Sequence, residues 1–175
     1  MDFAKNGLAT VAKDGKYGYI NTRGEIAIPL KFDRAGDFSD SDLAPAAIGN
    51  KWGYITAKGD FVIPPQFAGA GPFDSFGLAR FSSDDTKKIG YLNQSGKVVV
   101  EPQFEVASPF RGKGLARVKL NGKWGYIDTH GNWIVRPQYG FALDYTNNGL
   151  AAVSMPTGLG YINSAGDVVL QLEGQ

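Results

Sequence analysis

The sequence predicts an all-β protein built from five tandem repeats of about 35 residues, each a three-stranded antiparallel meander. Three observations predict it. An apolar residue followed by Gly-Tyr recurs at Tyr17-Gly18-Tyr19, Trp52-Gly53-Tyr54, Ile89-Gly90-Tyr91, Trp124-Gly125-Tyr126 and Leu159-Gly160-Tyr161, with the glycines 35, 37, 35 and 35 residues apart. A second glycine follows each motif glycine by six residues, at Gly24, Gly59, Gly96, Gly131 and Gly166. Between these marks the apolar residues alternate as half-buried strands do, and no helical period appears.

Each unit opens on a Gly-Leu-Ala strand, at Gly7-Leu8-Ala9, Gly77-Leu78-Ala79, Gly114-Leu115-Ala116 and Gly149-Leu150-Ala151, with Asp42 in place of glycine before Leu43-Ala44. In the fourth unit Ala116, Val118 and Leu120 face one way, while Arg117 and Lys119 face the other. Asp14-Gly15, Gly49-Asn50 and Asn121-Gly122 then supply the positive φ of two-residue hairpin loops. Two extra residues within Ser83–Lys87 account for the one spacing of 37, as a hairpin tip tolerates.

The second strand carries the Gly-Tyr motif. The third is short and apolar: Ile26-Ala27-Ile28, Phe61-Val62-Ile63, Val98-Val99-Val100, Trp133-Ile134-Val135 and Val168-Val169-Leu170. Pro29, Pro64, Pro102 and Pro137 are expected to end it, because proline cannot donate to a ladder. A linker follows, with a repeated alanine (Ala35, Ala70, Ala107, Ala142) and a repeated aromatic (Phe38, Phe73, Phe110, Tyr145).

The chain is expected to form a single repeat domain over 1–175, with units of approximately 1–38, 39–73, 74–110, 111–145 and 146–175. The atypical C-terminal tail, which lacks the proline and the aromatic, favours an open solenoid or superhelix over a closed five-bladed propeller.

Composition excludes several functions. A net charge of +1 gives no global field to attract nucleic acid or an acidic membrane. Without cysteine there is no disulfide, thiolate metal site or cysteine nucleophile. No run of about 18 apolar residues could span a membrane as a helix. A soluble protein is expected, cytoplasmic or exported after removal of a signal.

Lys-Trp-Gly-Tyr-Ile at 51–55 and 123–127, the turn glycine, Ile-Pro-Pro-Gln-Phe at 63–67 and Gly-Pro-Phe at 71–73 together resemble the bacterial WG (KWG) repeat family. The match covers nearly the whole chain. Tyr17, Ile89 and Leu159 stand where that family has tryptophan, so the position asks for bulk rather than an indole. The resemblance implies a β-rich repeat scaffold, often joined to other modules or exported. It implies no catalytic activity and no general ligand.

The motif positions Gly18, Tyr19, Trp52, Gly53, Tyr54, Gly90, Tyr91, Trp124, Gly125, Tyr126, Gly160 and Tyr161 are assigned to structure, with like positions stacking into a core. Trp133 shares a column with Ile26, Phe61, Val98 and Val168 and is assigned there too. Phe76, Arg80, Arg117, Phe141 and Leu143 vary between units and form the candidate interaction surface. Lys16, Lys51, Lys88 and Lys123 repeat as a cationic stripe, which Glu25, Asp60 and Asp167 are expected to neutralise.

Asp37, Asp40 and Asp42 are assigned to a solvated loop rather than a calcium site, since the glycine and distal glutamate of such a loop are missing. The single histidine, His130, sits at a hairpin tip. No catalytic residue, metal or cofactor is assigned. The function expected is a non-catalytic scaffold for a protein or cell-surface polymer. A glycan-binding module using exposed aromatics is the alternative, and a hydrolase with spatially paired carboxylates a remote one.

Overall fold

The computed structural model describes residues 3–173, and among them there is no helix. Five separate antiparallel sheets follow one another along the chain. The first holds β1 (Leu8–Lys13), β2 (Lys16–Asn21) and β3 (Ile26–Phe32). The second holds β4 (Arg34–Ala35), β5 (Ala44–Ile48), β6 (Lys51–Ile55) and β7 (Phe61–Phe67). The third holds β8 (Gly69–Phe73), β9 (Leu78–Ser82), β10 (Ile89–Asn93) and β11 (Val98–Phe104). The fourth holds β12 (Val106–Ala107), β13 (Leu115–Leu120), β14 (Lys123–Asp128) and β15 (Trp133–Tyr139). The fifth holds β16 (Leu150–Met155), β17 (Gly158–Asn163) and β18 (Val168–Glu173).

The middle three sheets have four strands because the linker supplies one. Its repeated alanine pairs with the first long strand of the following sheet, as in Ala35↔Ala46, Ala70↔Phe81 and Ala107↔Val118. Before the fifth sheet the same contact is a single bridge, Ala142↔Val153. Each linker therefore belongs to the sheet that follows it.

The hairpins form as the turn residues dictate. Asp14-Gly15 and Asn121-Gly122 both take positive φ, and Gly49 does so alone. Asp42 adopts φ 58°, the conformation its glycine counterparts Gly7, Gly77, Gly114 and Gly149 hold near 75°.

The prolines do not end the third strand. They lie inside it, at a bulge opposite the motif glycine. Tyr17 pairs with Phe32 and Tyr19 with Ile28, so Gly18 faces three residues of β3. The same shift recurs in β7, β11 and β15. A bulge leaves a residue out of the ladder, which is where a proline loses nothing. The bulged backbone presses on the glycine: a Cβ on Gly53 would meet the Ile63 carbonyl oxygen at 2.3 Å, and one on Gly125 the Val135 oxygen at 2.5 Å. The fifth unit has no proline there and pairs without a shift at its motif glycine, Gly160 standing opposite Gln171; its one shift lies between Tyr161 and Ile162.

Neighbouring sheets pack face to face, with one core cluster at each junction. Tyr19, Ile28 and Phe32 of the first sheet meet Ala46 and Ile55 of the second. Tyr54, Ile63 and Phe67 meet Phe81 and Leu92. Tyr91, Val100 and Phe104 meet Val118 and Ile127, and Tyr126, Val135 and Tyr139 meet Val153 and Ile162. Each turn glycine lies on the preceding sheet: a Cβ on Gly59, Gly96, Gly131 or Gly166 would touch Ile28, Ile63, Val100 or Val135. Among the described residues no cluster joins the fifth sheet to the first, so the array is open.

Candidate binding surface

The motif tyrosines hold the units together. Tyr19, Tyr54, Tyr91 and Tyr126 are fully buried. Their hydroxyls donate to linker carbonyls seventeen residues on, those of Gly36, Gly71, Ser108 and Leu143, at 2.6 to 2.8 Å. They do not stack on one another. Each packs instead against the linker aromatic, as in Tyr54–Phe73 with ring centres 4.7 Å apart and Tyr126–Tyr145 at 4.8 Å. Burial pushes their phenols, and that of Tyr145, far above the ordinary value.

The structure divides the five variable residues. Arg80 and Arg117 turn inward along the array. Arg80 Nη1 donates to the Ala107 carbonyl at 3.0 Å, and Arg117 Nη1 donates to the equivalent carbonyl of Ala142. Arg117 also lies 4.5 Å above the Trp124 ring and 3.2 Å from an Asp144 carboxylate oxygen. Thr10 occupies the equivalent place in the first sheet and donates to Asp37 at 2.7 Å. Phe76, Phe141 and Leu143 are exposed. The Phe76 ring lies over Gly114 of the next unit, while Phe141 and Leu143 flank the Ala142 bridge of the following linker. No single patch gathers all five.

Three lysines of the stripe, Lys16, Lys51 and Lys88, pair with residues other than those expected. Lys16 donates to Asp33 at 2.6 Å, and the other Asp33 oxygen accepts the Gly49 amide of the next hairpin. The Lys16 ammonium, and then that amide, hold the Asp33 carboxyl below its usual range. Glu105 repeats the arrangement between Lys88 and the Gly122 amide. Lys51 pairs with Asp84 in the longer third hairpin, which fits that insertion to the second sheet. Glu25 pairs with its own neighbour Arg23. Asp40 pairs with Lys5 at 2.7 Å. The His130 amide donates to Asp128, and its ring is exposed.

Three linkers together make a cleft. Pro72–Ser75, Pro109–Gly112 and the Tyr145 and Asn147 side of the next linker converge on one open hollow of about 450 Å³. Phe73, Phe110 and Tyr145, three copies of one repeat position, line its inner end. Asp74 is the acidic side chain in its wall, and its carboxylate accepts the amides of Phe76, Leu78 and Phe110. Arg111 approaches Asp144 at 3.8 Å, leaving most of its guanidinium free. The linker aromatics could have announced this cleft from their spacing, but Ser75, Arg111 and Asn147 occupy it by tertiary placement alone.

The WG containing repeat, as a family pattern, matches residues 17–52, 52–86, 89–124 and 124–155. The chain belongs to the WG repeat family. Each matched WG repeat starts at a residue that precedes a Gly-Tyr pair, and 17–52 and 89–124 run on to the next such residue, so each cuts across a junction between two sheets. No curated protein matches the chain in sequence. Among solved structures it is similar to a eukaryotic initiation factor, at 12% identity and a TM-score of 0.62, over 94% of this chain and 51% of that one. It is also similar to virginiamycin B lyase from Staphylococcus aureus, at 18% identity and a TM-score of 0.54, over 96% of this chain and 67% of that one. This WG repeat chain thus spans about half of the first protein and two thirds of the second. Likeness at such identities concerns the fold alone, which is that of β-propeller-like arrays of small sheets. Among the described residues no helix is long and apolar enough to cross a membrane.

Proposed function

We propose that this WG repeat chain is a non-catalytic interaction scaffold whose partner, a protein or a cell-surface polymer, docks where the linkers converge. One observation carries the proposal. Three consecutive linkers present equivalent residues to a single open cleft, as a surface reading successive segments of an extended polymer must. Pro72 and Pro109 give it stiff walls, and Ser75, Asn147 and the free side of Arg111 give it polar contacts. Asp74 is spent on three amides, which suits a positioning role better than acid-base chemistry. Phe76, next to Ser75 and 41% exposed, extends the cleft with an apolar shelf.

A glycan is the second reading, favoured by that exposed ring, because sugars stack on aromatic faces. Hydrogen exchange in the presence of candidate peptides and oligosaccharides tests both. The expected result is slowed exchange at 72–76, 109–112 and 145–147, and a loss of binding in Arg111→Ala and Phe76→Ala. Protection elsewhere, or unchanged affinity in both variants, would sink the proposal. Protection by oligosaccharides alone would decide for the glycan.

A further inference from the structure

The two ends of the array expose different faces, and these faces are the two halves of one interface. At every internal junction a forward face carries the motif tyrosine and the third-strand aliphatic, such as Tyr126 and Val135. It meets a rear face carrying a first-strand residue, a second-strand aliphatic and the turn glycine, such as Val153, Ile162 and Gly166.

Among the described residues nothing covers the forward face of the fifth sheet. Leu159 pairs across the strands with Leu172, and Tyr161 with Leu170, so all four side chains share one face. They are 37 to 49% exposed, whereas Tyr126 is fully buried and Val135 nearly so. Among the described residues nothing covers the rear face of the first sheet either. Val11 and Ile20 are half-buried where Val153 and Ile162 are wholly buried, and Ile26 is 55% exposed. A Cβ on Gly24 would meet nothing within 4 Å, while its four counterparts each press on an aliphatic side chain of the sheet before.

The geometry points to a second copy of this chain as the occupant: the Val11, Ile20, Gly24 and Ile26 face of one copy seats on the Leu159, Tyr161, Leu170 and Leu172 face of another. The contact repeats a packing the molecule already makes four times, with Gly24 landing on Leu170 as Gly166 lands on Val135. Apolar faces of this kind on a soluble chain mark association sites. The association is heterologous, one face against a different one, so it continues the array from copy to copy or closes it as a ring. It is independent of the linker cleft, which lies away from both ends.

The test is sedimentation velocity on the whole chain at increasing concentration, with two variants, Leu170→Lys and Ile26→Lys. Both positions are exposed in the single chain, so folding and melting temperature are expected to hold. Each variant alone is expected to associate more weakly by roughly tenfold or more, because each loses one half of the interface. Mixed together, the two variants are expected to form a one-to-one dimer, since one keeps a good forward face and the other a good rear face. A wild-type chain that stays monomeric overturns the proposal. So does a mixture that stays monomeric, or self-association that survives either variant; the last would be the mark of like faces pairing.

Discussion

The fourth and fifth units share their motif and differ in almost everything the motif does. Tyr126 is fully buried and bonded to the Leu143 carbonyl, while Tyr161 is 37% exposed. Gly125 lies under a bulge that contains Pro137, while Gly160 faces a straight strand. A further sheet covers the fourth unit, while among the described residues none covers the fifth. The comparison teaches that burial of a motif tyrosine is conferred by the next unit, through its linker and turn glycine, and not by the strand that carries it.

The largest expected effect breaks the comparison at the glycine. An added methyl at Gly125 meets backbone, the Val135 oxygen at 2.5 Å and the Pro137 nitrogen at 2.9 Å, so Gly125→Ala is expected to cost about 3 kcal/mol or more in urea unfolding. At Gly160 the two nearest atoms belong to the flexible Met155 side chain, at 2.7 and 2.8 Å, and a single backbone atom, the Leu170 oxygen, stands at 2.9 Å, so Gly160→Ala should cost less, about 2 kcal/mol. Equal costs would mean that the bulge does not set the need for glycine.

The tyrosine hydroxyl comes next. Tyr126→Phe leaves the Leu143 carbonyl without its donor and should cost about 1–2 kcal/mol, whereas Tyr161→Phe should stay within about 0.5 kcal/mol.

Alkaline titration sharpens the same contrast. The phenols of Tyr19, Tyr54, Tyr91, Tyr126 and Tyr145 are raised by burial above the ordinary 10.0. A folded-state value above the unfolded one means that their stabilisation is intact below pH 10 and is lost as the pH rises beyond it. Phenolate absorbance from these five of the eight tyrosines should therefore appear together with unfolding. Smooth ionisation of all eight before the circular dichroism changes would contradict it.

The smallest effect is at Asp42, which holds φ 58° where four units have glycine. Asp42→Gly should be stabilising by at most about 0.5 kcal/mol, read from the shift in melting midpoint.

The strand order, the hairpin loops and the structural role of the Gly-Tyr motif were legible in the sequence because each rests on local chemistry: alternation, positive-φ pairs and regular spacing. The bulge was not. Pro29 and its equivalents read as strand stops, since a sequence does not reveal that three residues of the third strand stand opposite Gly18. The linker strand was missed because two residues such as Arg34–Ala35 have no periodicity of their own. Asp33 and Glu105 lie just past the third strand, seventeen residues after their lysines, so the sequence points instead to acids nearer in the hairpin. Arg80 and Arg117 look like free surface charges until the next linker's carbonyl is placed beside them.

The tyrosine-to-linker bond has one further consequence. Every such bond runs from a unit to the chain that follows it, at a constant offset of seventeen residues. Unravelling therefore has a direction. Peeling away the last sheet strips the cover from Tyr126, the next peel strips Tyr91, and each loss exposes a new face like the one before. Pulled from its C-terminal end, the molecule would come apart as a row of similar small steps; pulled from the other end, it would first have to give up Tyr19, whose hydroxyl is bonded to the Gly36 carbonyl ahead of it.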